Sequence, residues 1–327
     1  MKVLVTGASG FLGSHIAEQL AHQGHTVRVL VRRTSDRSFL RGFETEEALG
    51  DVTQPESLPA AVAGVDAIVH AAGLVKARSA AEFQAVNAGG TANLLSALNG
   101  AGGLRRFVLI SSLAAHGPSP DGRPRRPDAP ATPVSNYGRS KLMAEELVRS
   151  WAGEERPATI IRPPIVYGPR DRATLPLFQA VRRRLAPLLG DGCNAISCIY
   201  AEDAARAAAL AATAGHDAPT ATYSLDDGSV YTWRDFLAAI EQAVGRKALR
   251  LPSPHWAFAA AALLSESYGR LLRRAVSFNR DKYAEMRQRY WVCSHDEIAH
   301  DLGWKPQVTL SEGAALTAAW YRREGWL

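Results

Sequence analysis

The chain has 327 residues, of which 46% are hydrophobic and 21% are charged, and its formal net charge at pH 7 is +6. Such a composition is typical of a globular protein and excludes a collagen-like or largely disordered chain. The arginines form short, scattered clusters without a basic helix or finger pattern, so we expect no nucleic-acid partner.

Three cysteines, Cys193, Cys198 and Cys293, lack the spacing of a metal site, which fits a reducing compartment and predicts no bound metal. The N-terminus enters an apolar strand rather than a signal peptide. The longest apolar run, Trp256 to Leu264, is much shorter than the roughly 20 residues that cross a bilayer. We therefore expect a cytoplasmic protein with no membrane span.

The first predicted element is a strand, Lys2 to Thr6, which leads through a glycine-rich loop into a helix over Ser14 to Ala21. The loop glycines follow the spacing G-x-x-G-x-x-G and carry no side chain, so backbone N–H groups can approach a pyrophosphate at the positive end of the helix. A strand, a glycine turn and a helix in this order indicate a dinucleotide site. Its candidate residues are Gly7, Ser9, Gly10, Phe11, Leu12 and Gly13.

The second predicted strand, Thr26 to Val31, ends at Arg32 and Arg33. An acidic residue at this place accepts a hydrogen bond from the adenosine ribose, whereas an arginine pairs with a 2′-phosphate. We therefore expect NADP(H) as the cofactor, and NAD stays open because solvated arginines fit the same sequence. Asp51 and Val52 follow a faint third strand and are placed to meet the adenine edge.

The fourth predicted strand, Ala67 to His70, is followed by small residues, which let the backbone pass close to a cofactor. They are Ala71, Ala72 and Gly73. Asn87 precedes the next helix, and a fifth strand, Arg106 to Ser111, is almost continuously apolar, as expected when both faces are covered. This strand brings Ser111 and Ser112 to the carboxyl edge of the sheet, where ligands bind. The residues alone do not decide between the two serines.

Gly117 to Pro133 contains six prolines in 17 positions, so it cannot be regular structure and is either a lid or a surface connection. In the helix that follows, Tyr137 and Lys141 are four residues apart, which places the ammonium near the phenol. A free tyrosine has a pKa near ~10, and acid/base work near neutrality requires a lower value. The same spacing also arises by chance, with Tyr137 half-buried and Lys141 solvated.

The sixth predicted strand, Ala158 to Arg162, stops at Pro163 and Pro164, and beyond Tyr167 the pattern changes. The elements predicted there are a helix from Leu175 to Leu188, a strand from Asn194 to Tyr200, a helix from Glu202 to Ala214, a strand from Thr222 to Leu225, a helix from Thr232 to Val244 and a mostly helical remainder from Pro252 to Leu327.

These elements predict an α/β protein with a doubly wound parallel sheet, the Rossmann fold, and a smaller, mostly helical C-terminal substrate domain. The predicted dinucleotide-binding domain covers residues 1–167, and residues 195–227 return to it. The predicted substrate-binding domain covers residues 168–194 and 228–327.

Jointly, the motifs resemble the extended short-chain dehydrogenase/reductase family, also described as the NAD-dependent epimerase/dehydratase family. The resemblance covers Met1 to about Asp203, with a recognisable tail at Leu302 to Pro306 and Ser311 to Gly313. It rests on the Thr6 to Gly13 loop, Asp51, His70 to Gly73, Asn87, Ser111, Ser112, Tyr137, Lys141 and Arg162 to Pro164. The cofactor contacts expected outside the glycine loop are Arg32, Arg33, Asp51, Val52, Ala71, Ala72, Gly73, Asn87, Tyr137, Lys141, Pro163 and Pro164.

The resemblance implies that Tyr137 passes a proton to or from the substrate oxygen while hydride moves to or from the nicotinamide. Lys141 is implied to bind the nicotinamide ribose and to lower the pKa of the tyrosine. Ser112 is the implied serine that polarises the carbonyl. The family also implies a homodimer through the helices around Ala92 to Leu98 and Tyr137 to Ser150.

Departures from the family pattern narrow the reaction type and the class of substrate that we expect. Leu113 and Ala114 stand where dehydratases carry acidic residues, which disfavours dehydration. Ile196 and Ser197 stand where nucleotide-sugar epimerases carry an Arg-Asp pair, so a charge-assisted contact with a diphosphate is missing. The apolar and aromatic residues near the C-terminus suit a hydrophobic pocket and resemble the 3β-hydroxysteroid dehydrogenase and ketone reductase branch.

We therefore expect an NADP(H)-dependent oxidoreductase whose small-molecule substrate is a hydrophobic ketone or secondary alcohol, such as a sterol-like or keto compound. Two alternatives stay open. One is a nucleotide-sugar 4-epimerase with tightly bound NAD. The other is a non-catalytic sensor of the NADP redox state, although sensors of this family typically lose the tyrosine and the lysine that this chain retains.

Overall fold

The computed structural model describes residues 1–99, 103–214, 220–272 and 274–327. Its strands, numbered in chain order, are β1 (Lys2–Thr6), β2 (Thr26–Val31), β3 (Glu46–Leu49), β4 (Ala67–His70), β5 (Arg106–Ile110), β6 (Ala158–Arg162), β7 (Ile165–Tyr167), β8 (Leu185–Leu189), β9 (Ala195–Ile196), β10 (Cys198–Tyr200), β11 (Thr220–Ser224), β12 (Tyr231–Thr232), β13 (Leu249–Ser253) and β14 (Tyr290–Trp291).

The α-helices are α1 (Phe11–His22), α2 (Pro59–Val62), α3 (Ala80–Phe83), α4 (Gly90–Ala97), α5 (Leu113–His116), α6 (Asn136–Trp151), α7 (Leu175–Arg182), α8 (Ala201–Thr213), α9 (Trp233–Val244), α10 (His255–Leu271), α11 (Arg280–Met286), α12 (Asp296–Leu302) and α13 (Leu310–Arg323). A π-helix, Gln84–Gly89, joins α3 to α4. Short 3-10 turns lie at Ser38–Leu40 and Pro55–Ser57.

The centre of the fold is a sheet of seven parallel strands in the order β11-β6-β5-β4-β1-β2-β3. Strands β4, β5 and β6 are buried along their whole length, because both faces of the sheet are covered. The strand order reverses between β1 and β4, and ligands of such sheets bind outside the carboxyl ends at that point. The predicted α/β fold with a doubly wound sheet is confirmed.

Helices cover both faces of the sheet. On one face, α1 packs through Ile16 and Leu20 against the sheet and α8, whose short alanine side chains allow a close approach. On the other face, α4 and α6 contribute Leu94, Ala144 and Val148. Each fully buried leucine or valine contributes roughly 1.5–3 kcal/mol, so these two layers supply most of the apolar stabilisation of the sheet.

A third hydrophobic cluster joins β7 and β10 to α7, α9 and α13. Its aromatic rings meet edge to face, with ring centroids 5.6 Å apart for Tyr167 and Phe236 and 5.1 Å apart for Phe178 and Tyr321. Small sheets surround this cluster: β7 pairs with β10, β8 with β13, and β9 with both β12 and β14. The boundaries given above for the two domains stay a prediction.

Two predicted elements are wrong by more than a few terminal residues. The helix predicted from Leu175 to Leu188 ends at Arg182, because Arg184 adopts a left-handed backbone (φ 60°) that no helix can continue, and the chain then forms β8. The strand predicted from Asn194 to Tyr200 is divided at Ser197 into β9 and β10, which pair with different neighbours.

The proline-rich segment, 117–133, contains neither a helix nor a strand, as predicted. Two arginines tie it to the body of the protein: Arg125 donates to the His116 carbonyl at 2.9 Å, and Arg162 donates to the Pro127 carbonyl at 2.9 Å. In the described ranges no helix combines the length and the apolar character that crossing a membrane requires. The same residues contain no cluster of three His, Cys, Asp or Glu side chains that could hold a metal ion.

A buried ion pair joins β6 to α6. Arg162 donates from Nε and Nη2 to the two carboxylate oxygens of Glu145 at 2.9 and 2.7 Å, and the Ser111 hydroxyl donates to the same carboxylate at 2.6 Å. Burial by itself would raise the pKa of Glu145, but the Arg162 guanidinium and the Ser111 hydroxyl bring it below its usual value. The pair is nearly inaccessible, with 2% of the arginine side chain and none of the glutamate exposed.

Glu145→Gln is expected to lower the free energy of unfolding by about 3–5 kcal/mol, because it leaves the Arg162 charge buried without its partner. Urea denaturation monitored by circular dichroism measures the change. The adjacent Glu146 is exposed, so Glu146→Gln is the matched control and should leave the unfolding curve in place. Equal stabilities of the two variants would contradict the assignment of this pair as a structural anchor.

Candidate active site

The glycine loop between β1 and α1 is closely packed against the end of β4. Gly7 has a positive φ of 72°, and a Cβ added there would lie 2.7 Å from the Ala71 carbonyl carbon and the Ala72 nitrogen. A Cβ on Gly13 would lie 2.2 Å from the Gly7 oxygen. Only glycine permits this geometry at both positions.

The start of α1 is open to an anion. Its N-cap residue is Gly10, which has no side-chain oxygen to accept from the first-turn N–H groups. Ser9, Phe11 and Leu12 are partly accessible at the same turn. Uncapped N–H groups at the positive end of a helix, behind a glycine turn, fit the pyrophosphate of a dinucleotide.

The residues predicted to meet the adenosine lie beside this loop. Arg32 and Arg33 follow β2 and are exposed, and Arg32 Nη1 lies 3.9 Å from Asp51 Oδ2. An ion pair of this length and exposure contributes at most about 1 kcal/mol to stability. The Arg32 guanidinium can therefore move toward a bound anion at little cost in free energy. Val52 is buried against α4, where a Cβ on Gly90 would approach it to 2.8 Å.

Asn87, in the π-helix, connects the loop after β4 to α6. Its Oδ1 accepts from the Leu74 N–H at 2.7 Å, and its Nδ2 donates to the Ser140 hydroxyl at 2.9 Å. A Cβ on Gly73 would lie 3.0 Å from Asn87 Oδ1 and 3.1 Å from Lys141 Nζ. The predicted cofactor residues Gly73, Asn87 and Lys141 therefore meet at one corner of the site.

His70 fixes the position of this corner through two threonines. The Thr91 hydroxyl donates its proton to the Asn87 carbonyl, so it can only accept from His70 Nε2, at 3.1 Å. His70 therefore carries its proton on Nε2, and its Nδ1 accepts from the Thr6 hydroxyl at 2.7 Å. Thr6 in turn accepts from the Ala72 N–H at 3.2 Å. Burial lowers the pKa of His70 to about 3, which keeps the ring neutral, as this chain of hydrogen bonds requires.

The predicted catalytic residues are also close together. The Ser112 side chain is close enough to the Tyr137 phenol to lower its pKa. It also caps α5 by accepting from the Ala114 N–H at 3.1 Å. Lys141 is buried and donates from Nζ to the Ile110 carbonyl at 2.9 Å. The other serine, Ser111, is not available, because its hydroxyl is bound to the buried ion pair.

The electrostatics of Tyr137 differ from the expectation. Lys141 was expected to lower the pKa of the phenol, but burial raises the pKa of Tyr137 to about 12. The Ser112 side chain offsets part of this rise, and the Glu285 charge adds to it. Burial also lowers the pKa of Lys141 to about 8, partly offset by Glu145. The protein groups alone therefore raise the pKa of the phenol, contrary to the expectation, because the loss of hydration on burial is the largest effect.

Two carboxylates that the sequence reading missed hold the start of α6. Asp281 accepts from the backbone N–H groups of Asn136 at 2.6 Å and Tyr137 at 3.2 Å, and Glu285 accepts from the Ser135 hydroxyl at 2.6 Å. Both acids lie on α11, where negative charge favours the N-terminus of α6. No local pattern signals a contact between residues 145 positions apart.

Pro163 and Pro164 follow β6 at the same edge of the sheet. The Pro163 carbonyl accepts from the Leu113 N–H at 2.8 Å and thereby holds α5, which begins directly after Ser112. Pro164 is partly accessible. The structure thus brings the glycine loop, the corner at Asn87 and the Ser112–Tyr137 pair to the carboxyl ends of β1, β4, β5 and β6.

A parallel sheet with a glycine loop at its switch point and a tyrosine–lysine helix at the same edge defines a Rossmann-fold enzyme that uses a dinucleotide. The chain belongs to the NAD dependent epimerase/dehydratase family, which residues 3–225 match. Relatives of the chain include proteins named as reductases, a dehydrogenase and an epimerase.

Two relatives and one solved structure illustrate the range of this family. The ceramide reductase of Caulobacter vibrioides is 35% identical over 99% of this chain and 96% of its own length. The 4-hydroxy-2-methyl-3-oxo-4-farnesyl-3,4-dihydroquinoline-1-oxide ketoreductase of Stigmatella aurantiaca is 31% identical over 96% of this chain and 94% of its own. The UDP-glucose 4-epimerase of Thermus thermophilus, solved with NAD, is 25% identical, has a TM-score of 0.79 and covers 98% of this chain and 99% of its own.

Proposed function

We propose that the protein is an NADP(H)-dependent oxidoreductase that interconverts a hydrophobic ketone and its secondary alcohol. The observation that carries this proposal is the grouping of Ser112, Tyr137 and the buried Lys141 at the carboxyl edge of the sheet. The two relatives named above, which are called reductases of a ceramide and of a farnesyl compound, support an apolar substrate.

In the proposed reaction the bound nicotinamide supplies or accepts the hydride. Tyr137 holds the proton that the ketone oxygen receives, and a pKa of about 12 keeps the phenol protonated at neutrality, as a donor must be. Ser112 donates a second hydrogen bond to the same oxygen and polarises the carbonyl. Lys141 carries the positive charge that stabilises the phenolate left after proton transfer.

The rate of ketone reduction is expected to fall above pH 8, because the pKa of Lys141 is about 8 and the ammonium is lost as the pH rises through that value. The expected loss is roughly tenfold per pH unit, measured as kcat between pH 6.5 and 9.5. In Lys141→Arg the guanidinium stays charged over the whole pH range. We therefore expect no decline in kcat between pH 6.5 and 9.5 for this variant, even if its kcat is lower than that of the wild type. A decline at the same pH in both proteins would contradict this role.

The proposal also assigns the cofactor and the assembly. The exposed Arg32 and Arg33 support NADP(H), since guanidinium groups bind a 2′-phosphate. Met143 and Leu147, one turn apart on α6, are 40% and 37% exposed and support a homodimer through α4 and α6. The free thiols of Cys193, Cys198 and Cys293 support a cytoplasmic location.

A panel of long-chain ketones, assayed with NADPH and with NADH, tests the function. We expect ketone-dependent oxidation of NADPH, with a higher kcat/KM than for NADH. Conversion of a UDP-sugar without net oxidation of NADPH would favour the epimerase instead. Binding of NADPH without turnover of any ketone or alcohol would favour a redox sensor.

A further inference from the structure

Helix α10 presents its large apolar residues to the solvent. Five of them lie at helical spacing along one side and form what we call the α10 stripe: Trp256, Leu263, Leu264, Tyr268 and Leu271, which are 74%, 49%, 71%, 63% and 80% exposed. The residues that α10 buries are small, Ala262 and Gly269. A surface helix of a globular protein has the opposite arrangement, with its large apolar residues turned inward.

The packing beneath α10 fixes this orientation. A Cβ on Gly269 would lie 2.7 Å from the Val276 side chain and 2.9 Å from the Arg274 carbonyl, so no larger residue fits at position 269. Phe258 also anchors the helix, with its ring edge to face against Phe278 at 6.0 Å between centroids. The stripe therefore cannot turn inward without opening these contacts.

The basic charge of the chain is concentrated around the same helix. Residues 246–289 contain ten lysines and arginines and three aspartates and glutamates, a net charge of +7, whereas the whole chain carries +6. The rest of the chain therefore sums to −1. Near α10, the single carboxylate of Glu266 pairs with both Arg270 and Arg280, which leaves an excess positive charge, and Arg274 and Arg287 are exposed.

We propose that the α10 stripe docks onto the surface of an anionic lipid bilayer. An apolar helix face enters the boundary between headgroups and acyl chains, and flanking basic residues bind the anionic headgroups. Trp256 and Tyr268 stand near opposite ends of the stripe, and such amphipathic rings favour the interface. A partner protein of ordinary surface charge would explain the apolar stripe but not the +7 segment around it.

The docking face is connected to the candidate active site. Helix α10 packs on α11, and α11 supplies Asp281 and Glu285, which hold the start of α6 next to Tyr137. One helix thus separates the lipid-facing stripe from the phenol. The inference goes beyond the proposed function and does not depend on it, because docking is measured without turnover.

Flotation with vesicles tests the proposal. The full chain is mixed with vesicles of phosphatidylglycerol and phosphatidylcholine in equal amounts, and separately with vesicles of phosphatidylcholine alone. We expect it to float with the first and to be released by high salt, because basic residues contribute to the binding. The double variant Leu264→Glu, Leu271→Glu should bind at least roughly tenfold more weakly. Leu316→Glu, which places the same charge on the 49% exposed Leu316 of α13, should bind as the wild type does.

Thermal unfolding of each variant, with wild-type midpoints expected, separates lost docking from lost folding. Failure of the wild-type protein to float with the anionic vesicles would overturn the proposal. So would equal flotation of the double variant, or binding without preference for phosphatidylglycerol. Light scattering tests the alternative that a second copy of this chain covers the stripe. That alternative would be supported if the wild type forms an oligomer, the double variant does not, and neither binds vesicles.

Discussion

Tyr137→Phe is expected to lower ketone-dependent oxidation of NADPH by roughly 10²–10⁴-fold, because phenylalanine keeps the ring and removes the only proton that Tyr137 can donate. The Ser112 hydroxyl would keep its role as the cap of α5. The glycine loop and the corner at Asn87 are untouched, so the affinity for NADPH should stay within a few-fold of the wild type. Stopped-flow turnover and fluorescence titration with NADPH measure the two quantities.

The matched control for this experiment is Tyr268→Phe, which removes a phenolic hydroxyl that is 63% exposed on α10 and far in the chain from the site helix. Its turnover of a water-soluble ketone should equal that of the wild type. Wild-type turnover in Tyr137→Phe would remove this residue from the mechanism. Loss of NADPH binding together with turnover would instead show that the phenol acts in binding the cofactor.

Gly13→Ala is expected to weaken NADPH binding by about tenfold to a hundredfold. The added methyl group would lie 2.2 Å from the Gly7 carbonyl oxygen, and relieving such an overlap costs about 1–3 kcal/mol. The oxygen belongs to backbone that is itself packed against Ala71 and Ala72, so the loop cannot yield on that side. Any displacement therefore moves the N–H groups that the pyrophosphate requires.

Isothermal titration with NADPH measures this effect, and a thermal unfolding scan measures the strain that reaches the fold. Gly153→Ala is the control, because a Cβ on Gly153 meets no atom within 4 Å. It should bind NADPH normally and unfold at the wild-type temperature. A Gly13→Ala protein with wild-type affinity would show that the loop does not hold the pyrophosphate.

Sequence reasoning was most accurate where a local pattern determines the structure. The bounds of β1, β2, β4 and β6 were predicted residue by residue, because each is a short, mainly apolar run whose ends the local sequence marks. The helix predicted to run to Leu188 failed at Arg184, where the left-handed backbone depends on the pairing of β8 with β13, more than 60 residues away.

The sequence predicted that the candidate site residues lie close together, but it did not predict their pKa values. The spacing of Tyr137 and Lys141 predicted a near contact, yet spacing carries no information on burial, and burial decides both of their pKa values. From the residues alone Ser111 and Ser112 were equivalent, and only the family resemblance pointed to Ser112. The structure adds that Ser111 is bound to Glu145. Asp281 and Glu285 reach the site only through the tertiary packing of α11, so no local signal could have found them.

The acids on α11 also restrict how this protein can be recombined with its relatives. The segment that matches the family ends at residue 225, but the backbone of Asn136 and Tyr137 is held by a carboxylate from residue 281. A chimaera that joins the first 225 residues of this chain to the C-terminal part of another enzyme contains Tyr137 but lacks the carboxylates that hold the start of α6. Grafting a new substrate specificity onto this scaffold therefore requires Asp281 and Glu285 to travel with the nucleotide-binding half.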